Sequence, residues 1–319
     1  MEWAHRLWGR GIGLVFVLPA VFFAARRLTC APHNVKIFGL AALLGLQGFV
    51  GWWMVKSGLD EEQLEERRSM PTVSQYRLTT HLGIAFALYC GMLWTGFEIV
   101  REHQWMKAPK AAEIQMELLQ SPLLRPLRRM TYGLLALTFL TALSGGLVAG
   151  LDAGLIYNNF PHMTDLPPYF PSKGELMSPT FSRNANQSDL FWRNMLENPA
   201  MVQLNHRIMA TTTFFSILAT TIYANKYKAV MPKNATTALR TVMGLACLQV
   251  ALGISTLIYL VPIPLASAHQ AGALALLTGV VSLAAKLKSP RVAMKFLMAG
   301  LTVKGRTAVA KGATIATKL

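Results

Sequence analysis

Seven apolar stretches of about 20 residues constrain this chain more than any other feature. A helix of about 20 residues crosses the roughly 30 Å hydrocarbon layer of a membrane, and helices satisfy their own backbone hydrogen bonds there. The 319-residue sequence is 53% hydrophobic and only 14% charged, which is unusual for a soluble domain. We therefore expect an all-α integral membrane protein. The predicted spans are Leu7–Ala25, Val35–Val55, Thr79–Val100, Thr131–Leu151, His206–Ala224, Leu239–Leu260 and Ala266–Ala285.

The placement of charge predicts the orientation of these spans. A net charge of +16 would suit a nucleic-acid partner, but the basic residues are not spread over one surface. If the chain begins outside and alternates, about two thirds of the 31 Lys and Arg fall in the inner segments, while the outer segments hold most of the 15 acids. This is the positive-inside pattern of membrane proteins. We therefore expect no nucleic-acid partner and place the basic tail, residues 291–319, on the inner side.

Residues 5–101 and 206–286 form an internal repeat. Each half begins with His-Arg, returns through a helix that carries Leu-Gln-x-x-x-Gly, and starts a third helix with a second histidine. Both halves begin outside, so they are parallel repeats about an axis along the membrane normal. The sequence predicts two pseudo-symmetric helical bundles, with three spans in residues 1–130 and four in residues 131–290. The matching pairs are His5 and His206, Arg6 and Arg207, Gln47 and Gln249, Gly51 and Gly253, and His81 and His269.

Four histidines, two in each bundle, lie near the same membrane face: His5, His81, His206 and His269. An ionisable residue at membrane depth is costly unless it has a partner. Paired imidazoles that face each other between helices are typical of an iron held from both sides in haem. Zinc is the alternative metal, but a structural zinc usually takes four ligands, often with Cys, and the three cysteines follow no such spacing.

The two bundles differ beside their first histidine. Glu2 lies three residues before His5, on the same helix face, whereas Gln203 holds the matching position in the second half. A carboxylate beside a bound macrocycle can act as a base or stabilise positive charge. This asymmetry predicts a reactive first centre and an electron-transferring second centre. Arg6 and Arg207 follow the first histidines, and their candidate partners are haem propionates or lipid headgroups.

Six segments of the chain form a specific combination. They are MEWAHRLWGR at 1–10, QGFVGWWMVKSGL at 47–59, VSQYRLTTHL at 73–82, TALSGGLVAGLDAG at 141–154, NHR at 205–207 and PLASAHQ at 264–270. Together they resemble the haem A synthase family in its eukaryotic mitochondrial type, the cytochrome oxidase assembly protein 15 family. The resemblance covers essentially the whole chain, although His-Arg alone would be weak.

The resemblance implies two four-helix bundles, so the family has 4 + 4 spans where this chain has 3 + 4, without the family's leader and first transmembrane helix. It implies an oxidoreductase that converts the C8 methyl of haem O to formyl, which gives haem A for cytochrome c oxidase. By this resemblance His206 and His269 hold a haem b cofactor. His5 and His81 hold the substrate haem O, and Glu2 beside it is catalytic.

The resemblance also implies a location and partners. The expected location is the mitochondrial inner membrane, as a multi-pass protein with the histidines toward the intermembrane space and the C-terminus in the matrix. Expected partners are the haem O synthase that supplies substrate, a redox partner, cytochrome oxidase assembly factors and further copies of the chain. Two alternatives remain open from the residues: a di-haem cytochrome b-type protein that only transfers electrons, and a haem-binding assembly factor without turnover.

Overall fold

The computed structural model describes residues 2–29, 31–58, 73–291, 294 and 300, without the side chains of Glu2 and Gly58. Within these ranges the regular structure is helical and contains no strand. The acidic loop 59–68, Cys30 and most of the predicted tail 291–319 lie outside the described residues.

Ten α-helices carry the described part of the chain. They are α1 (Glu2–Ala25), α2 (Ala31–Gly58), α3 (Gln75–Lys107), α4 (Pro109–Gln120), α5 (Leu124–Gly150), α6 (Lys173–Leu176), α7 (Leu190–Glu197), α8 (Pro199–Asn225), α9 (Lys233–Ile258) and α10 (Ile263–Leu287). Two short 3₁₀ turns, Ala153–Leu155 and Pro179–Phe181, lie between α5 and α7.

Among the described residues, six helices are long and apolar enough to cross a membrane: α1, α2, α3, α5, α9 and α10. Each overlaps one of the predicted spans, so the prediction of an all-α integral membrane protein is confirmed. Helices α5 and α9 end one and two residues before the predicted spans do, whereas α3 continues past Val100 to Lys107. Its last turns are polar, and the apolar pattern therefore ends before the helix does.

The seventh predicted span, His206–Ala224, is helical but does not belong to these six. It lies in α8, which has 27 residues and begins at Pro199. Threonines lower its hydropathy, yet their hydroxyls are not left unpaired. Thr212, Thr213 and Thr220 each donate to the carbonyl four residues earlier, which is how hydroxyl groups are satisfied within a helix. The length of α8 and its internal hydrogen bonds are compatible with a membrane span, but its composition alone does not identify it as one.

The helices contribute to two compact units. The first unit comprises Met1–Met92, Leu137–Thr213 and Gln249–Ala273. All four predicted histidine ligands belong to it. Within it α5 approaches α3 closely, because a Cβ at Gly150 would lie 2.7 Å from the Gln75 Cα and one at Gly146 would lie 3.2 Å from the Thr79 Oγ1. The small-residue stretch SGGLVAG thus permits close helix packing.

The second unit comprises Leu93–Ala136, Phe214–Leu248 and Leu274–Leu319. Its core is a cluster of buried aliphatic residues from α5, α8, α9 and α10, including Leu127, Ala235 and Leu283. Helix α4 starts with Pro109 at its first turn, a favoured position for proline, and buries Ala112, Met116 and Leu119 beside Trp105. The predicted helical pattern within residues 101–130 is therefore present.

The connection 152–198 contains short helices and turns, although its sequence is rich in Pro, Ser and Asn. Asn194 of α7 is fully buried, and its side chain donates to the carbonyl of Ser178 and accepts from the Ser178 amide. Arg193 pairs with Asp189 and Glu197, one turn away on either side. Such short helices depend on tertiary hydrogen bonds, which composition does not reveal.

Candidate functional site

His5 on α1 and His81 on α3 meet in the first unit. Their ring centroids are 6.4 Å apart, with an angle of 67° between the ring planes. Two metal–imidazole bonds of about 2 Å each, together with the ring radii, separate the centroids by roughly 6 Å. The predicted first pair therefore has a spacing that fits one metal ion between two imidazoles. We call this pair the first centre.

Helix α2 presses against His81 through its Leu-Gln-x-x-x-Gly segment. A Cβ at Gly51 would lie 2.8 Å from the Cε1 of His81, so only glycine leaves room for the ring there. The Gln47 amide nitrogen lies 3.2 Å from the Nε2 of His81. An amide nitrogen can only donate, and this contact therefore leaves Nε2 with its lone pair, the form that a metal binds.

The second half repeats this arrangement. A Cβ at Gly253 of α9 would lie 2.9 Å from the Cε1 of His269 on α10. Gln249 again lies one turn earlier, but its amide donates to the main-chain oxygen of His269, at 2.9 Å. His206 of α8 is the other predicted ligand of this half and belongs to the same unit as His269. We call His206 and His269 the second centre.

Helix α5 adds contacts to the second centre. A Cβ at Gly145 would lie 3.2 Å from the Cε1 of His206, and the Ser144 hydroxyl lies 2.7 Å from the Nδ1 of His206. Helices α5, α8, α9 and α10 all contribute a residue at this centre. A four-helix container of this kind is a common way to hold a cofactor between facing helices.

Gln203 and Arg207 hold the start of the long connection against α8, on either side of His206. The buried Gln203 amide donates to the carbonyls of Ala153 and Tyr157. The Arg207 guanidinium donates to three carbonyls, those of Tyr157, Asn159 and His162. A carboxylate at position 203 could accept hydrogen bonds but not donate these two, which gives a structural reason for glutamine at the position that matches Glu2.

Several buried polar atoms at the two centres have no hydrogen-bond partner among the described residues. They include Nδ1 of His81 and of His269, Oε1 of Gln47, Gln249 and Gln203, and Nε of Arg207. Buried polar groups are rarely left without a partner, and their gathering here indicates a polar or metal-containing ligand. No three His, Cys, Asp or Glu side chains come together at one point in the described ranges, so the centres are histidine pairs, which suit haem.

The remaining candidate residues are placed as follows. Glu2 belongs to the first turn of α1, but its side chain lies outside the described residues. Arg6 follows His5 on α1, and its assignment to a propionate stays a prediction. His162 stacks on Tyr169 with a centroid distance of 4.2 Å, as part of the connection. Cys90 and Cys247, which the sequence analysis did not assign to a disulfide, are free.

The roles of Ser144, Gln203 and Gly145 were not predicted from the sequence. The repeat identified Gln47, Gly51, Gln249 and Gly253 as matching residues, but not their contacts with imidazole. Ser144 has no such signal, because it lies 62 positions from His206 and outside the repeated segments. Only the packing of α5 against α8 brings the two together.

Comparison with known proteins identifies the family of this chain. The family model COX15-CtaA, cytochrome oxidase assembly protein, matches residues 1–281. "Heme A synthase COX15" of Saccharomyces cerevisiae is 56% identical over 319 residues, covering 100% of this chain and 65% of the relative. "Heme A synthase COX15" of Homo sapiens is 42% identical over 288 residues, covering 90% and 63%.

A third relative carries an additional part. The "Heme A synthase-mitochondrial ferredoxin fusion protein" of Schizosaccharomyces pombe is 44% identical over 297 residues, covering 92% of this chain and 48% of that protein. The chain thus spans between about half and two thirds of the length of these three relatives. The match to the family model and the repeated histidine centres lead to one conclusion: this chain belongs to the COX15-CtaA family of cytochrome oxidase assembly proteins.

Proposed function

We propose that this chain is a haem A synthase, an oxidoreductase that converts the C8 methyl of haem O to formyl and so provides haem A for cytochrome c oxidase. The observation that carries the proposal is the histidine pair of the first centre, with centroids 6.4 Å apart, in a repeat whose second half has the same glycine–imidazole contact. The names of the relatives, heme A synthase, support the assignment to haem A formation.

In this proposal His5 and His81 hold the substrate haem O, and His206 and His269 hold a resident haem b. Haem iron, once bound, supplies the redox chemistry. The assignment of the second centre to the resident haem is supported by its additional protein contacts. Ser144 and Gly145 of α5 meet His206, and Gln203 and Arg207 hold the adjacent connection.

The residues of the first centre orient the substrate and handle protons. Gly51 lets the His81 ring lie against α2, and the Gln47 amide donates to its Nε2, the nitrogen that would hold the haem iron. Glu2, three residues before His5 on α1, is the carboxylate that accepts a proton near the reacting methyl group. The Nε of Arg207, buried without a partner among the described residues, is a donor that remains available to a propionate at the second centre, and Arg6 is the matching candidate at the first.

The proposed location is the mitochondrial inner membrane, with the histidine centres toward the intermembrane space and the C-terminus in the matrix. The positive-inside charge pattern supports this orientation. The proposed partners are the lipid bilayer, the haem O synthase that supplies substrate, a redox partner, cytochrome oxidase assembly factors and further copies of the chain.

The test is chromatography of the haems extracted from the purified chain after expression in cells that make haem O. The proposal predicts haem b together with haem O or haem A, and haem A demonstrates turnover. A Glu2→Ala variant should retain haem b and lose haem A. Glu2→Gln, which keeps the shape without the charge, is the matched variant.

Other outcomes would favour the alternatives. Two equivalents of haem b with no haem O or haem A would indicate a di-haem electron-transfer protein. Haem O that is bound but never oxidised, in wild type and Glu2→Ala alike, would indicate a haem-binding assembly factor. Either result would contradict the proposed reaction.

A further inference from the structure

Ser144 lies on α5, a helix that carries none of the four candidate histidine ligands. Its hydroxyl contacts a ring nitrogen of His206 in the second centre. Ser144 is nearly buried, with 9% of its surface exposed. Its Oγ lies 2.7 Å from the Nδ1 of His206 and also 2.7 Å from the carbonyl oxygen of Thr141, one turn earlier on α5. Both distances are ordinary for strong hydrogen bonds.

Counting hydrogens fixes the direction of these two bonds. A serine hydroxyl has one hydrogen to donate and lone pairs to accept with. The carbonyl of Thr141 can only accept, and it therefore takes the Ser144 hydrogen. The Ser144 oxygen is left as an acceptor, so His206 must donate to it from Nδ1–H.

The tautomer of His206 follows from this. A neutral imidazole with its hydrogen on Nδ1 carries its lone pair on Nε2. That nitrogen remains available to a metal. In metal sites, an acceptor for the other ring N–H fixes the ring orientation and makes the imidazole a stronger ligand.

The surrounding packing keeps Ser144 in place. The Thr141 hydroxyl lies 2.8 Å from the Thr213 hydroxyl of α8, which fixes α5 against α8 on the same side as His206. A Cβ at Gly145 would lie 3.2 Å from the Cε1 of His206, so α5 approaches the ring closely at the next residue. The first centre shows a different arrangement, since the side chain at His81 is an amide on Nε2 itself.

We propose that Ser144 is a positioning residue that holds His206 in the Nδ1–H tautomer and thereby sets the affinity and redox potential of the haem at the second centre. This inference rests on the proposed function, because it needs a haem at His206. In this proposal the contact from α5 helps to hold the electron-relaying haem of the second centre tightly, whereas the first centre exchanges its haem.

The test is a redox titration of the full-length purified chain with optical and low-temperature EPR detection, together with the haem b content. Ser144→Ala removes the hydroxyl that accepts from Nδ1–H and leaves, among the described residues, only the Thr141 carbonyl as an acceptor near the ring, so the imidazole becomes a weaker donor to ferric iron. We expect about 10–100-fold weaker haem b retention. We also expect a higher midpoint potential, by about 59 mV for each tenfold loss of ferric over ferrous preference.

Two further variants at this position grade the effect. Ser144→Thr keeps a hydroxyl and should restore the wild-type potential. Ser144→Cys, with sulfur as a weak acceptor, should lie between. The matched control is Thr220→Ala, which removes a buried hydroxyl from α8 that donates to Ser216, about 21 Å along the helix from His206. It should leave the potential unchanged.

The outcomes separate this inference from the proposed function. A wild-type chain that binds no haem would contradict the proposed function and this inference together. A haem-loaded wild type with a Ser144→Ala variant of equal potential and haem content would contradict the role of Ser144 alone. An equal shift in Thr220→Ala would assign the effect to packing and would also overturn the inference.

Discussion

At the scale of single residues, two glycines determine how closely a helix can approach a histidine ring. A Cβ at Gly51 would lie 2.8 Å from His81, and one at Gly253 would lie 2.9 Å from His269. Real Cβ atoms do not approach other atoms so closely, because protein interiors are packed at van der Waals contact. The ring or the helix would have to move.

We therefore expect Gly51→Ala to reduce haem at the first centre and Gly253→Ala to reduce haem b at the second, each by about tenfold or more. Haem content measured by pyridine haemochrome and chromatography would detect the loss. The same helices offer controls, since a Cβ at Gly48 or at Gly244 would meet nothing within 4 Å. Gly48→Ala and Gly244→Ala should keep their haem and gain about 0.5–1 kcal/mol of helix stability. Equal haem in all four variants would contradict the proposed contact.

The sequence predicts which of these residues match between the two halves, but not what their side chains contact. The repeat aligned Gln47 with Gln249 and Gly51 with Gly253, because duplicated residues share a spacing that can be read along the chain. It could not show that Gln47 meets an imidazole nitrogen while Gln249 meets a main-chain oxygen. That difference arises from side-chain rotamers within two helix pairs of similar sequence.

At the scale of elements, the connection between α5 and α8 is organised around a carboxylate. Asp189 accepts from the Ser182 hydroxyl, from the amides of Arg183 and Asn184, and from the Nε of Arg193. The hydrogen bond from Ser182 first, and then those from Arg183 and Arg193, hold the pKa of Asp189 well below its usual range. The acid therefore remains ionised through the physiological range.

A pH dependence follows from the lowered pKa. Unfolded Asp titrates near pH 4, so the stabilisation by Asp189 is complete above that value and is lost as the pH falls through the lowered folded value. Hydrogen exchange at the amides of Arg183 and Asn184, corrected for intrinsic rates, should show constant protection down to about pH 4 and less below it. Asp189→Asn should weaken this protection already at neutral pH.

Asp165→Asn is the control for that experiment, because Asp165 accepts from Asn159 in the same connection but does not contact residues 182–184. It should leave the protection of those amides unchanged. Protection in Asp189→Asn equal to that of wild type at every pH would show that this carboxylate does not organise the connection.

The helices differ in how well the sequence predicted them. Six predicted spans correspond to six helices suited to a membrane, because hydrocarbon imposes a length and a composition that are visible in one sequence. Helix α8 was also predicted as an apolar span, although its threonines reduce its hydropathy. Helix α7 was missed, since its stability depends on Asn194 and its tertiary partners.

At the scale of the whole molecule, each unit is stabilised by contacts of a different kind. In the second unit the carboxyl end of α10 is held by two arginines: Arg101 donates to the carbonyls of Ala285 and Lys288, and Arg128 donates to that of Leu287. Basic side chains at a helix C-terminus satisfy its last carbonyls and favour its dipole. The buried Glu98 pairs with Lys288 just beyond this helix, so its buried charge is matched.

The first unit contains the four imidazoles of the two centres. The repeat gives the two histidine pairs similar helices, and they differ in their contacts with α5, Gln47 and Gln249. The boundaries at residues 130 and 290 for two bundles and a tail remain a prediction. The central claim is that each centre holds one haem between its own two histidines.

The measurement that tests this claim most directly is the haem-to-chain ratio, with low-temperature EPR, of the wild type and of the four single variants His5→Ala, His81→Ala, His206→Ala and His269→Ala. We expect low-spin EPR signals typical of haem held between two imidazoles. His206→Ala and His269→Ala should each abolish the same haem b signal, whereas His5→Ala and His81→Ala should leave it intact and abolish retention of haem O. Unchanged haem content in His206→Ala and His269→Ala would contradict the account.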